Sequence, residues 1–188
     1  DSALKLISIN KDLKSFNNYL KNSKAIIIFP EIYEGGLFFG AKGGTGILLI
    51  KRNKKWVGPF FYSIGGLSFG LQLGIKSGKA VMTIMSSRGL ESILKEKVKI
   101  GVDIDGAIIS EGVGFSANST VRLADIYTFS DNSGLFLGGS IDGAYLQSRN
   151  DLNFALYKKK LIPDEIMEFD ILHKSSKEIN STLDKILK

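Results

Sequence analysis

Glycine recurs with a regular phase between Gly35 and Gly78, and this stretch restricts the possible folds more than any other part of the chain. From residue 67 to residue 75, apolar residues at the odd positions alternate with small or polar ones: Leu67, Phe69, Leu71, Leu73 and Ile75 against Ser68, Gly70, Gln72 and Gly74. Such period-two alternation is typical of a β-strand with one apolar face. Glycines at 66, 70, 74 and 78 also suit a strand that another backbone or a ligand approaches closely.

A membrane-spanning helix is the main alternative for part of this stretch. Residues 56–75 contain no charged side chain, and glycines 66, 70 and 74 have the spacing of helix-packing faces in membranes. The segment also contains Pro59 and five glycines, and each interior glycine costs a helix about 1 kcal/mol relative to alanine. Because strict alternation gives a helix no apolar face, we expect strands here.

All 21 glycines lie between Gly35 and Gly143, which separates a β-rich middle from glycine-free flanks with helical periodicity. We therefore expect a single α+β domain over residues 1–188. It comprises a helical N-terminal segment (1–23), a β-rich core (24–160) and a C-terminal helical tail (161–188). Glycine-dense strands bend sharply, so the core should be a curled antiparallel glycine-rich sheet of about seven to nine strands, or a barrel, flanked by amphipathic helices.

Shorter patterns predict individual elements. The apolar run from Ala25 ends at Pro30 and predicts a buried strand, and residues 80–85 predict another. Helical spacing over 87–97 predicts one internal helix. Segments 126–129 and 134–148 are expected to pair as a hairpin around the turn residues 131–134. Pro163, Asp164 and Glu165 predict the start of a helix in the tail.

The net charge of +6 is unevenly distributed. Residues 1–60 carry ten Lys/Arg and four Asp/Glu, whereas residues 61–188 carry fifteen of each. A one-sided basic region is typical of proteins that bind anionic lipid or nucleic acid, although a lysine-rich composition would also produce it. The chain has no cysteine, which excludes disulfides and thiol chemistry and leaves the compartment open.

Residue types that carry catalysis are nearly absent. The single histidine, His173, is expected to be an exposed helix residue, since a metal site needs three or four donors. Asp103 and Asp105, with Glu111 beyond, are expected to mark the wet face of a strand, although paired carboxylates can also bind calcium or transfer protons. Residues 40–46 lack the order of a phosphate-binding loop, and a strand pattern rather than a helix follows them. The sequence therefore predicts no enzyme, no metal site and no cofactor.

Nucleic acid is a weaker candidate partner. Aromatic residues such as Trp56 and Phe60 interleave with basic ones, as in single-strand binders. Most of them fall in apolar runs, where core packing explains them, and arginine is scarce. We expect no nucleic-acid binding.

Several motifs, taken in order, resemble the SYLF domain family of lipid-binding domains, first described around yeast endocytic actin-patch proteins and widespread in bacterial envelopes. They are KAIIIFP (24–30), GLFFGAKGGTGILL (36–49), WVGP (56–59), GGLSFGLQLG (65–74), KIGVD (99–103), DIYTFS (125–130) and GLFLGGS (134–140). Each is short, but together they cover about three quarters of the chain in the family's order.

The resemblance implies a non-catalytic peripheral membrane module that binds phosphoinositides or other anionic phospholipids through a basic amphipathic N-terminal region. The lysines that surround the apolar face of residues 1–24, and further cations in or beside the matching motifs, are the expected lipid contacts: Lys5, Lys11, Lys14, Lys21, Lys24, Lys42, Lys51 and Arg52. The alternative is an envelope scaffold or protein-interaction domain, with actin among the family's partners.

This chain departs from the family pattern at two points. Asp131, Asn132 and Ser133 stand where many relatives have a basic residue, which puts anion binding at that turn in doubt. The segment 111–114 lacks the proline often found there. The chain begins at Asp1 and no partner domain accompanies it, which favours a periplasmic or exported, membrane-peripheral member with its signal segment removed.

Overall fold

The computed structural model describes residues 16–36, 39–69, 74–95, 97–100, 103, 106–109, 124–130, 144–170 and 173–187. Its helices are α1 (Phe16–Asn22), α2 (Ser87–Leu94), α3 (Asn150–Tyr157), α4 (Pro163–Glu168) and α5 (Lys177–Ile186), with a 3-10 turn at Lys174–Ser176. Its strands are β1 (Ala25–Gly36), β2 (Phe39–Arg52), β3 (Lys55–Phe69), β4 (Gly74–Ile84), β5 (Lys97–Lys99), β6 (Gly106–Ile109), β7 (Ile126–Ser130) and β8 (Tyr145–Ser148).

All eight strands belong to one curled, half-barrel sheet in the order β5-β8-β3-β2-β1-β4-β7-β6. Neighbours are antiparallel except β6 and β7, which run parallel. The expected α+β class with a curled antiparallel sheet is thus confirmed. Residues 56–69 lie in β3 and residues 74 and 75 begin β4, so the strand interpretation is correct for the described part of the glycine-rich stretch and the helix alternative is wrong. The alternation from 67 to 75, however, is divided between two strands and does not form one. Among the described residues, no helix is long and apolar enough to cross a bilayer.

The strand that begins at Ala25 continues past Pro30, where we expected it to end. The register of β1 against both neighbours shifts between residues 28 and 32, which places Pro30 and Glu31 in a bulge. Proline is tolerated at a bulge because no ladder hydrogen bond is needed there. On β2, Gly44 faces this bulge so closely that an added Cβ would lie 2.6 Å from the Glu31 carbonyl oxygen.

Each of the two faces of the sheet carries an apolar cluster. The inner face, which includes Ile27, Leu48 and Phe60, packs against α2 and α4. The Ser86 hydroxyl caps α2 by accepting from the Gly89 backbone N–H at 2.8 Å. The outer face, which includes Ile26, Leu49 and Trp56, packs against Phe16 and Leu20 of α1 and Leu183 of α5. Apolar side chains on both faces explain why residues 47–50 read as a continuous hydrophobic run.

Two further expectations need correction. Strand β7 is paired on one side with β4 and on the other with β6. The described part of the expected partner segment, Tyr145–Ser148, forms β8 and pairs with β3 and β5, so it makes no hairpin with residues 126–129. The turn at 131–134 lies outside the described residues. The apolar face predicted from Leu67 to Ile75 is also not buried at its two described ends, because Leu67 and Ile75 are among the most exposed apolar residues.

Candidate functional site: a basic end of the sheet

Six basic residues from three separate segments meet at one end of the sheet. Lys24 precedes β1, where its carbonyl accepts from the Lys51 backbone N–H at 2.7 Å, and Arg52 and Lys55 are cross-strand partners. Asn53 and Lys54 form the two-residue turn between β2 and β3, both with positive φ. We call this surface the basic end; its members are Lys21, Lys24, Lys51, Arg52, Lys54 and Lys55.

Lys51 ties the basic end to α1. Its ammonium donates to the backbone carbonyl oxygen of Lys21 at 2.7 Å and lies 5.3 Å from the centre of the Trp56 ring. A cation suits the last turn of a helix, where carbonyl oxygens lack partners. Partial burial lowers the pKa of Lys51, and the charge of Lys21 lowers it further.

A cavity of about 540 Å³ opens beside the β2–β3 turn. The turn and β3 provide one wall, and the opposite wall comes from α5 and the segment before it; its lining is Lys54, Lys55, Trp56, Val57, Asp170, Asn180 and Asp184. Trp56 is 1% exposed, and its Nε1 has no hydrogen-bond acceptor among the described residues. We call this space the turn cavity. It offers cations, hydrogen-bonding oxygens and an amide to a polar ligand that carries both phosphate and hydroxyl groups.

Lys42 does not belong to the basic end. It lies on the inner face of β2, only 6% exposed, directly opposite Glu34 of β1. Glu34 is 1% exposed, and its carboxylate oxygens have no hydrogen-bond donor among the described residues. Opposite charges at facing strand positions attract each other strongly in a buried setting. Lys42 is therefore an interior residue, and Glu34 has a second lysine, Lys76 of β4, as its cross-strand partner on the other side.

The other expected sites are distributed as follows. Lys5, Lys11 and Lys14 lie outside the described residues, so their lipid contacts stay predictions. Lys21 and Lys24 are exposed, whereas Lys51 and Arg52 are half-buried. Segment 40–46 lies within β2, which continues as strand to Arg52 and offers no helix start to a phosphate.

The residues considered for catalysis have ordinary structural surroundings where the structure describes them. His173 is half-buried and lies before the 3-10 turn, with its ring 6.1 Å from that of Tyr157, so the expectation of an exposed helix residue is wrong. Asp103 accepts from the Lys99 backbone N–H at 2.7 Å, while Asp105 and Glu111 lie outside the described part. The described residues include no cluster of three potential metal ligands.

Sequence reasoning did not assign the turn cavity. Lys54 and Lys55 were visible as part of a basic turn, but their partners Asp170, Asn180 and Asp184 come from more than a hundred positions later in the chain. The helical spacing of α5 indicated which of its residues pack on the domain. No local pattern indicated that its polar residues would face this turn.

Comparison with known proteins shows which protein family this chain resembles. Residues 65–186 match the family described as "Ysc84: Las17-binding protein actin regulator". The chain is 29% identical over 156 residues to "SH3 domain-containing YSC84-like protein 1" of Bos taurus, covering 81% of this chain and 44% of that protein. The human protein of that name is 28% identical over 156 residues, with coverage of 81% and 44%.

A more distant relative is "Protein YSC84" of Saccharomyces cerevisiae, 21% identical over 143 residues, with 73% of this chain and 30% of that protein covered. The chain thus spans less than half the length of these curated relatives. The matched region contains the last five residues of β3, the strands from β4 to β8 and helices α2 to α5. The resemblance expected from the glycine-rich motifs is confirmed, and the chain belongs to the Ysc84, or SYLF, domain family.

Proposed function

We propose that this domain is a non-catalytic peripheral membrane module that binds anionic phospholipid headgroups at its basic end. The observation that carries the proposal is the gathering of six cations, drawn from residues 21 to 55, around one end of the sheet beside an open cavity. Each Lys or Arg near an anionic leaflet contributes about 1 kcal/mol, so a cluster of this size is enough for reversible binding.

The turn cavity supports a phosphorylated polyol headgroup, such as that of a phosphoinositide, over a simple anionic lipid. Lys54 and Lys55 can contact phosphate groups, while Asp184 and Asn180 can accept or donate hydrogen bonds to ring hydroxyls. The acidic residues at the cavity would repel a ligand that carried phosphate alone. We therefore expect a preference for a headgroup that combines phosphate and hydroxyl groups.

A charge-reversal pair tests the basic end. Lys24→Glu with Lys55→Glu should weaken binding to anionic vesicles by about thirtyfold or more, since loss of two lysines removes about 2 kcal/mol and tenfold corresponds to about 1.4 kcal/mol. The matched control is Lys95→Glu with Lys160→Glu, which changes the net charge equally at exposed lysines after α2 and α3. Equal weakening by both pairs would show that only net charge matters and would contradict the proposed site.

The vesicle composition tests the headgroup preference. We expect vesicles with a phosphoinositide to retain more protein than vesicles with phosphatidylserine at the same total charge. Asp184→Ala should reduce this difference, because it removes an oxygen that faces the turn cavity. If retention depends on total charge alone, the cavity has no part in recognition.

A protein partner is the second candidate function, favoured by the description of the family as a Las17-binding actin regulator. Under this alternative the chain would bind a protein of the actin machinery, or act as a scaffold, without contacting lipid. Co-sedimentation with actin filaments and with vesicles, measured on the same preparation, separates the two functions. A periplasmic or exported location also stays a proposal, which cell fractionation tests.

A further inference from the structure

Four large apolar side chains are exposed together on the outer face of the sheet, at the end opposite the basic end. Their exposed fractions are 52% for Tyr33, 77% for Leu67, 82% for Ile75 and 37% for Tyr145. We call this surface the distal strip. Apolar side chains scattered singly over a surface need no explanation, but a group on one face does.

The strand register shows that the strip is continuous. Ile75, Gly35, Ala41 and Leu67 are successive cross-strand partners over β4, β1, β2 and β3, so Leu67 and Ile75 are separated by about 14 Å. The next row on the same face runs from Ser77 through Tyr33, Gly43 and Gly65 to Tyr145. Only glycine and alanine lie between the large side chains, which leaves a low apolar surface with four projecting groups.

An apolar groove lies on the same face beside α5. It has a volume of about 200 Å³ and is lined by Ile28, Pro30, Thr45, Gly46, Ile47, Phe61 and Ile179. Thr45, Gly46 and Ile47 follow the distal rows on β2, and Phe61 precedes them on β3. A polar row of Thr45, Ser63 and Gln147 separates this groove from the distal strip.

Cations and an aromatic ring form the border of the strip. The ammonium groups of Lys97 and Lys99 lie 4.1 Å and 5.5 Å from the centre of the Tyr145 ring. Glu31 of β1 is an acidic residue beside Tyr33. Tyrosine and lysine together at the edge of an apolar surface suit a membrane interface, where the rings and alkyl stems enter the headgroup layer and the ammonium groups meet lipid phosphate.

We propose that the distal strip is a second membrane contact, at which Leu67 and Ile75 enter the acyl region of an anionic bilayer while Lys97 and Lys99 contact its phosphates. This inference rests on the proposed lipid-binding function and adds an apolar, salt-resistant component to it. The tyrosine and lysines at one border match the headgroup layer of a bilayer, and a second copy of this chain is the alternative that the tests below distinguish. If a β-rich protein were the partner of the distal strip instead, it would compete with vesicles for the same surface.

The absence of cysteine allows a direct test on the full chain. Leu67→Cys is labelled with NBD, a dye whose emission depends on the polarity around it, and reports whether the distal strip enters the bilayer. Glu91→Cys, at an exposed position of α2, is the matched control. On vesicles of phosphatidylcholine and phosphatidylserine, the dye at position 67 should shift to the blue and be quenched by brominated acyl chains, whereas the dye at position 91 should change little. No change at position 67 on vesicles that do bind the protein overturns the inference and leaves the proposed function intact.

A second variant tests the contribution to affinity. Leu67→Ser with Ile75→Ser, both at exposed positions, should retain the fold and lower vesicle binding by on the order of tenfold or more, mainly in the part that high salt does not remove. Unchanged binding, or a concentration-dependent dimer that the double variant abolishes, would overturn the inference. Failure of the unlabelled wild-type chain to bind any anionic vesicle would overturn the proposed function together with it.

Discussion

The ammonium of Lys51, near the end of β2, donates a hydrogen bond to the carbonyl oxygen of Lys21 in the last turn of α1 at 2.7 Å. This contact joins two residues 30 positions apart and brings together two basic segments that repel each other. Burial and the neighbouring charge lower the pKa of Lys51. The hydrogen bond and the nearby Trp56 ring offset part of this repulsion, so the basic end is both a structural joint and a proposed ligand site.

Removal of the Lys51 ammonium should loosen α1. We expect Lys51→Met to lower the free energy of unfolding by about 1 kcal/mol, because a hydrogen bond to a helix C-terminal carbonyl is lost. Urea unfolding measures the change. Lys55→Met, an exposed lysine in the same hairpin, is the control and should change stability by less than about 0.5 kcal/mol. Equal losses in the two variants would contradict the role of the contact.

Two adjacent glycines of β2 should respond very differently to alanine. At Gly44 an added Cβ would lie 2.6 Å from the Glu31 carbonyl oxygen and 3.2 Å from the Ile32 Cα, so Gly44→Ala should destabilise the fold by about 2 kcal/mol or more. At Gly43 the nearest atom would be 3.8 Å away, and Gly43→Ala should be neutral or slightly stabilising. Thermal unfolding of both variants provides the comparison. A tolerated Gly44→Ala would show that the bulge of β1 yields easily.

Lys42 should affect stability rather than lipid binding. Lys42→Met removes one of the two lysines that face the buried Glu34 across the strands, the other being Lys76, and should cost about 1–3 kcal/mol. Adding Glu34→Gln should recover part of this loss, and the double-mutant cycle then gives the coupling between the two side chains. Folded Lys42→Met should bind anionic vesicles like the wild type. A selective loss of lipid binding would return Lys42 to the ligand site.

The pKa of Asp151 provides a pH prediction. Arg149 donates two hydrogen bonds to the Asp151 carboxylate, at 2.7 Å and 2.9 Å. They are the main reason why the pKa of Asp151 is lowered to about 2. Because the folded-state pKa lies below the ordinary value of 3.8, the stabilisation is complete above pH 4 and is lost as the pH falls towards 2. Arg149→Gln should raise the titration midpoint of Asp151, which carboxyl NMR shifts measure. An unchanged midpoint would contradict Arg149 as the cause.

Periodicity predicted the local elements well, because side-chain alternation depends only on the strand itself. The strands of the glycine-rich stretch, the internal helix at Ser87–Leu94 and the tail helix from Pro163 were all predictable in this way. Periodicity did not predict which face is covered, since this depends on where distant helices pack. The apolar positions Leu67 and Ile75 therefore turned out exposed.

The candidate site was predictable only in part, for a related reason. The basic run at 51–55 is a local feature of the sequence, whereas its meeting with Lys21 and Lys24 depends on how α1 packs. Lys42 was expected among the lipid contacts, but the curled sheet places its side chain inside. The turn cavity depends on a contact between β3 and α5 that no local pattern encodes.

Flotation of the unmodified chain with vesicles tests the central claim most directly. Neutral phosphatidylcholine vesicles are compared with vesicles that contain an anionic lipid, each at low and at physiological salt, where charges are screened beyond about 8 Å. The account predicts strong recovery with anionic vesicles, weak recovery with neutral ones, and partial release by salt. Equal recovery with both kinds of vesicle, at either salt concentration, would contradict it.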